Sequence, residues 1–255
     1  MKSKLLNAMI LAAFAVPGVA MAGDSPVTAN VGLVSDYLVR GISQTSGSGA
    51  IQGGFDYAHA SGFHAGVWGS NISWITDFGA TGTSSLEIDT YGGYGGSFAN
   101  DFTYDVGYIR YNYPGSYNAV AGNVKSDTHE AYGSIGYKWI SVKYSYSLGD
   151  FLAVKDSKGT NYLEVNANYT LEGTGVTLGA HYGKQTYKLP TTYVVTTAND
   201  PSYGDYKLSV SKDVGGYVFG VAYSSTDAAK NGFYTTPLGK NTARAAGVVS
   251  VLHSF

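Results

Sequence analysis

Cysteine is absent from the 255 residues, which excludes a disulfide scaffold, a thiolate metal site and a lipid-anchored cysteine. Charge is scarce: Asp, Glu, Lys and Arg make up 13% of the chain, against roughly 25% in an ordinary soluble domain. Neither sign dominates. Lys+Arg 16 against Asp+Glu 18 leaves −2, so no basic footprint points to nucleic acid. There is no second long apolar run, and mean hydropathy is −0.06. That excludes a helical membrane protein but not a membrane barrel, whose strands are apolar on one face only. What is abundant is glycine, 35 residues, and tyrosine, 23.

The N-terminus reads as an export signal. Lys2 and Lys4 precede an apolar run over 5–16, Pro17 and Gly18 break it, and Ala20, Met21 and Ala22 offer small residues for cleavage after Ala22. The run is too short to span a bilayer. Residues 1–22 are therefore predicted to be removed, leaving 23–255 as a single exported domain behind a signal of bacterial type.

Period-two alternation fills that remainder, the mark of strands with one apolar face. Ile140, Val142, Tyr144, Tyr146 and Leu148 alternate with Ser141, Lys143, Ser145 and Ser147; Leu163, Val165, Ala167, Tyr169 and Leu171 repeat the pattern. The pattern predicts twelve strands, over 27–40, 50–59, 63–73, 84–98, 102–113, 126–137, 140–149, 159–171, 176–188, 203–212, 215–226 and 242–255. Connections 41–49, 74–83, 114–125, 150–158, 189–202 and 227–241 all have nine residues or more, whereas 60–62, 99–101, 138–139, 172–175 and 213–214 have four or fewer. Strict sorting of short and long connections belongs to an antiparallel up-and-down transmembrane β-barrel, with short periplasmic turns and long extracellular loops. The Lys138-Trp139 turn lacks Gly, Asn and Asp and is the least expected connection.

One face holds Val31, Leu33, Phe55, Val67, Val106, Val142, Val165, Leu208, Val221 and Val249, with no charge through the middle of the strands. A lysine or arginine at the bilayer midplane costs about 2–4 kcal/mol, which explains the exclusion. The opposite face holds Asp36, Arg40, Asp56, Glu87, Asp89, Asp105, Glu130, Lys143, Glu164, Lys207 and Arg244, with His64 and His181 inward by parity. Arg110 joins these candidate lumen-lining residues from a fifth strand whose parity switches after Tyr108, through a bulge or a strand projecting above the membrane. Tyr57, Tyr94, Tyr104, Tyr137, Tyr146, Tyr169 and Tyr217 collect near strand ends, where interfacial girdles place aromatic rings.

Residues 35–73 are more specific. Ser35-Asp36-Tyr37, Arg40-Gly41-Ile42-Ser43-Gln44-Thr45, Gln52-Gly53-Gly54-Phe55-Asp56-Tyr57, Ser61-Gly62-Phe63, Trp68 and Ser70-Asn71 resemble the TorF-type porin family of bacterial outer-membrane proteins. Lys143-Tyr144-Ser145-Tyr146-Ser147 and the run from Tyr162 to Tyr169 are similar to it as well. Gly49 departs from the proline often found there. The resemblance implies an outer-membrane channel and supplies no substrate. The terminal Phe255 resembles the signal that outer-membrane proteins present to the barrel-assembly machinery, with His253 in place of a usual aromatic.

Catalytic motifs are missing: there is no G-x-S-x-G elbow, H-E-x-x-H or Walker loop. No cofactor, metal or catalytic residue is expected, and His64 with His181 reads as hydrogen-bonded lumen histidine rather than a metal site. Asp36 and Arg40, four apart on the first strand, are expected to pair with Asp56 or Arg244. The inward charges form either a structural network or a selective constriction, and their mixed sign predicts no strong preference for anions or cations. Twelve strands give a backbone diameter of roughly 24 Å and a bore on the order of 12 Å before any loop folds in. Loops 189–202 and 227–241 are the candidates to fill it. The expected function is passive diffusion of small hydrophilic solutes. An outer-membrane lipid hydrolase using His59 or His253, and a closed structural or adhesive barrel, are the alternatives.

Overall fold

Alternation becomes architecture in the computed structural model, which describes residues 26–255 apart from 121, 192, 197, 198 and 231. The expected signal segment lies outside the described residues. Twelve strands close one antiparallel barrel: β1 (Val27–Val34), β2 (Ala50–Ala58), β3 (Phe63–Asn71), β4 (Leu86–Phe98), β5 (Phe102–Asn112) and β6 (Thr128–Tyr137). Then follow β7 (Ile140–Ser147), β8 (Asn161–Leu171), β9 (Val176–Thr186), β10 (Tyr203–Val214), β11 (Tyr217–Thr226) and β12 (Ala246–Ser254). Each strand pairs with its sequence neighbours, and β1 pairs with β12 from Asn30↔Ser254 to Val34↔Ser250. Phe255 finishes that seam, its N–H donating to the Ala29 carbonyl and its carbonyl accepting from the Ala29 N–H.

The connections sort by end as expected. One end carries turns over 59–62, 99–101, 138–139, 172–175 and 215–216; the other carries the long loops. The Lys138-Trp139 turn is a two-residue hairpin, with Lys138 at φ 54° supplying the left-handed position that such turns need. The fifth turn is Gly215-Gly216, at φ 64° and 86°, two residues beyond the expected tip at Asp213-Val214.

The outward face is apolar. Leu208, Val221 and Val249 are each 60% exposed, an arrangement that water would penalise and hydrocarbon would not. The charges on this face, Arg110, Lys184 and Lys212, lie toward the strand ends, where long side chains can reach polar surroundings. Strand β5 corrects two expectations. Its pairing is continuous from Phe102 to Asn112, with no bulge. Arg110 therefore points outward, toward Asp127 at 3.5 Å, and does not line the lumen. Ile109 and Tyr111 point inward although apolar, because at that height the interior holds protein.

That protein is the first loop. Strand β1 stops at Val34, not residue 40, and 35–49 folds into the barrel as a hairpin pairing Leu38–Val39 with Ile42–Ser43. Arg40 (φ 49°) and Gly41 (φ 78°) make its tip. A Cβ at Gly41 would lie 2.7 Å from Thr226 Cγ2 and 2.9 Å from Asp205 Cβ, so the tip touches the wall at β11 and β10, two and three strands round the barrel from β1. Tyr37 and Leu38 pack with Ile72, Ile75, Tyr113 and Val248, while Ile42 packs with Tyr203, Ala228, Tyr234 and Ala243. The hairpin is thus wedged across the loop end by apolar contacts on both sides.

Inward tyrosines fill the wall beside it. Tyr91 lies directly across from Gly66, and Tyr132 from Gly107. A Cβ at Gly107 would lie 2.5 Å from the Tyr132 hydroxyl, and a Cβ at Gly183 would collide with that of Tyr162. These glycines leave slots in which the rings lie flat against the sheet. Gly107→Ala and Gly183→Ala are each expected to lower barrel stability by about 1–3 kcal/mol through overpacking. Gly133→Ala, whose Cβ would meet only Val106 Cγ1 at 3.8 Å, is expected to be near neutral. Urea unfolding in detergent, followed by heat-modifiable gel mobility, checks the contrast.

Candidate functional site

Inside the barrel, carboxylates and tyrosines meet in pairs. Tyr37 donates to Glu87 Oε1 at 3.2 Å, Tyr132 to Asp105 Oδ2 at 3.1 Å, Tyr162 to Asp205 Oδ2 at 2.8 Å, Tyr111 to Glu130 Oε2 at 3.3 Å, and Tyr91 to Asp56 Oδ1. Two of these pairs extend to histidine. His64 Nε2 lies 2.8 Å from Asp105 Oδ1. His181 Nε2 lies 2.9 Å from Asp205 Oδ1, while its Nδ1 lies 2.7 Å from Asn166 Oδ1 and 3.7 Å from Glu164 Oε2. The histidines thus serve carboxylates, and no cluster of three or more metal-ligating side chains occurs among the described residues.

Arg40 reaches across from the hairpin tip. Its guanidinium donates to Glu130 Oε2 at 2.6 Å and Gln185 Oε1 at 2.8 Å, and lies 4.4 Å from the Tyr162 ring centroid and 5.4 Å from that of Phe151. One residue therefore ties the first loop to β6, β8 and β9. Lys143 Nζ sits 4.2 Å over the Tyr132 ring, and the residue is paired in register with Glu164. Below the hairpin remains a cavity of about 60 Å³, bordered by Tyr37, Arg40, Asp89, Tyr111, Lys143 and His181.

The structure places Asp56, His64, Glu87, Asp89, Asp105, Glu130, Lys143, Glu164, His181 and Lys207 on the inward face, as parity predicts. Three further expectations are corrected. Asp36 is buried but lies beyond β1, where its Oδ1 accepts from Ser43 Oγ at 2.5 Å and Thr45 Oγ1 at 3.1 Å and braces the first loop. Arg40 pairs with Glu130, not Asp56, because the chain leaves the wall after Val34. Arg244 is exposed, outside β12, with Nη2 against Gly47 at the loop-end rim. The bore expected from strand number is occupied by 35–49, whereas 227–241 contributes Ala228 and Tyr234 to the wedge.

Sequence reasoning missed Asp205, Gln185, Trp68 and the inward tyrosines. Parity held the signal: Tyr91 follows Glu87 and Asp89 on one face, Tyr132 follows Glu130, and Tyr162 precedes Glu164. The hydrolase candidates do not assemble. His253 Nδ1 donates to the Gly216 carbonyl at 2.8 Å, and its ring stacks on Tyr217. His59 Nδ1 meets Ser61 Oγ at 2.7 Å within a turn, yet among the described residues no carboxylate is hydrogen-bonded to His59.

The geometry makes the Tyr162 hydroxyl a shared node. Tyr162→Phe is expected to cost about 1–3 kcal/mol by leaving a buried carboxylate oxygen without its donor. Tyr169→Phe, on the exposed outer face, is expected to be near neutral in the same urea titration.

The family model that matches residues 20–255 is described as a bacterial protein of unknown function (Gcw_chp). No curated protein matches the sequence. Among solved structures, the chain is similar to the KdgM porin in complex with disordered oligogalacturonate, at 11% identity over 90% of this chain and 98% of that one, with a TM-score of 0.52. LpxR from Salmonella typhimurium aligns at 9% identity over 89% and 99%, with a TM-score of 0.42. OprD from Pseudomonas aeruginosa aligns at 10% over 82% and 59%, with a TM-score of 0.40. The likeness to KdgM is one of fold.

Proposed function

We propose, from the premise that this chain belongs to the Gcw_chp family of bacterial proteins of unknown function, that it is an outer-membrane channel for passive diffusion of small hydrophilic solutes. In this reading it is a TorF-type porin, exported by a signal cleaved near Ala22 and bounded by outer-membrane lipid. Phe255, at the closing seam, is its contact for the barrel-assembly machinery.

One observation carries the reading: the wall is inside out. Apolar side chains cover the exterior, and charged, hydroxyl and amide groups line a closed interior. A water-soluble barrel would have no reason to expose the first set or to bury the second. Lumen hydroxyls and carboxylates replace part of a solute's hydration, and no energy source is needed. The first loop sets the constriction, since its hairpin turns into the barrel and Arg40 reaches from its tip to β6, β8 and β9.

The test is conductance in planar lipid bilayers. The wild-type barrel is expected to give small, resolved steps in potassium chloride. Arg40→Ala combined with Glu130→Gln, which removes the tie without leaving a buried charge alone, is expected to raise the conductance several-fold. If neither protein ever conducts, the channel reading fails and a permanently plugged structural barrel takes its place.

A further inference from the structure

Among the lumen carboxylates, two differ from the rest. Asp105 and Asp205 each face a histidine, Glu130 faces Arg40, Glu164 is paired in register with Lys143, and Asp56, at the half-buried end of β2, accepts from Tyr91. Glu87 and Asp89 stand two residues apart on the inward face of β4, 0% and 2% exposed, and neither forms an ion pair among the described residues. Glu87 Oε2, Asp89 Oδ1 and Glu130 Oε1 are buried and receive no hydrogen bond among the described residues, but Glu130 has the Arg40 guanidinium on its other oxygen. Two buried carboxylates side by side, each with one oxygen that meets no donor, are unfavourable as anions unless a proton or a cation joins them.

The surroundings specify the kind of cation. Asp89 is paired in register with Trp68 on β3 and with Tyr111 on β5. Tyr37 descends from the first loop, its ring 5.5 Å from that of Trp68 and its hydroxyl on Glu87. Asp89, Tyr37 and Tyr111 also border the cavity of about 60 Å³. Aromatic faces offer a metal ion no lone pairs, but they attract an ammonium group, whose N–H bonds also satisfy carboxylate oxygens.

We infer that Glu87 and Asp89, framed by Trp68, Tyr37 and Tyr111, form a binding site for the ammonium group of a small organic amine inside the barrel. The inference deepens the channel reading and rests on it for the amine's route to the site. Arg40 does not compete for these oxygens, because Glu130 and Gln185 hold its guanidinium.

The test is calorimetric titration of the purified protein in detergent micelles with n-butylammonium chloride, in phosphate buffer so that no buffer amine competes. Saturable binding is expected for the wild type, and none for sodium butyrate. Asp89→Asn, which keeps the side-chain volume, is expected to weaken binding about tenfold, and Trp68→Leu about threefold. Glu87→Gln, also isosteric, replaces Asp89→Asn if that variant does not give a heat-modifiable band. Equal affinity in wild type and variants, or butyrate binding as tightly as butylammonium, overturns the inference. A barrel that conducts in bilayers but does not bind butylammonium also overturns it and leaves the channel standing. A barrel that binds butylammonium but never conducts upholds the site and removes the channel.

Discussion

A strand with hydrocarbon on one side can direct its backbone groups only to neighbouring strands, so the ring must close without an edge. The β1–β12 seam, completed by Phe255 and Ala29, meets that demand. Closure then decides what the inside must be. Every polar side chain turned inward loses bulk water and needs a partner within the barrel. Tyrosine suits this need, because its ring covers the wall and its hydroxyl reaches a carboxylate on another strand. Tyr91 and Tyr132 lie on glycines of the adjoining strand, and Tyr162 lies against Gly183, so the high glycine and tyrosine contents belong to one device.

The first loop follows from the same logic. Burying Leu38, Ile42 and Tyr37 contributes about 1.5–3 kcal/mol for each fully buried apolar side chain. The Arg40–Glu130 pair offsets its own desolvation by little, yet breaking one half would cost about 3–5 kcal/mol. Apolar packing therefore seats the hairpin, and Arg40 fixes where its tip lands. Asp36 braces the base through Ser43 and Thr45.

Strand number, order, end-sorting of the connections and most inward residues were legible, because period-two alternation survives wherever lipid and polar interior face opposite sides of one strand. Legibility ended where that contrast ended. Tyr37, Leu38 and Val39 looked like the continuation of β1, since a buried hairpin and a strand share the same extended backbone. Arg110 was assigned to the lumen because Ile109, Tyr111 and Tyr113 switch the apolar pattern; the strand keeps its register, and it is the interior that becomes apolar. Arg244 fell with the end of β12. No single-strand pattern could pair Arg40 with Glu130, ninety residues away, because that contact depends on which loop turns inward.

The hairpin also organises the electrostatics of the lumen. Tyr37 and Arg40 stand three residues apart, one donating to Glu87 and the other to Glu130. The loop thus supplies donors to two carboxylates on different parts of the wall. Displacing it would take a hydroxyl donor from Glu87 and the counter-charge from Glu130 at once. The energy that holds the loop in place and the charge that an open lumen would present are therefore two aspects of the same contacts. A change that frees the loop therefore also leaves Glu130 without its counter-charge.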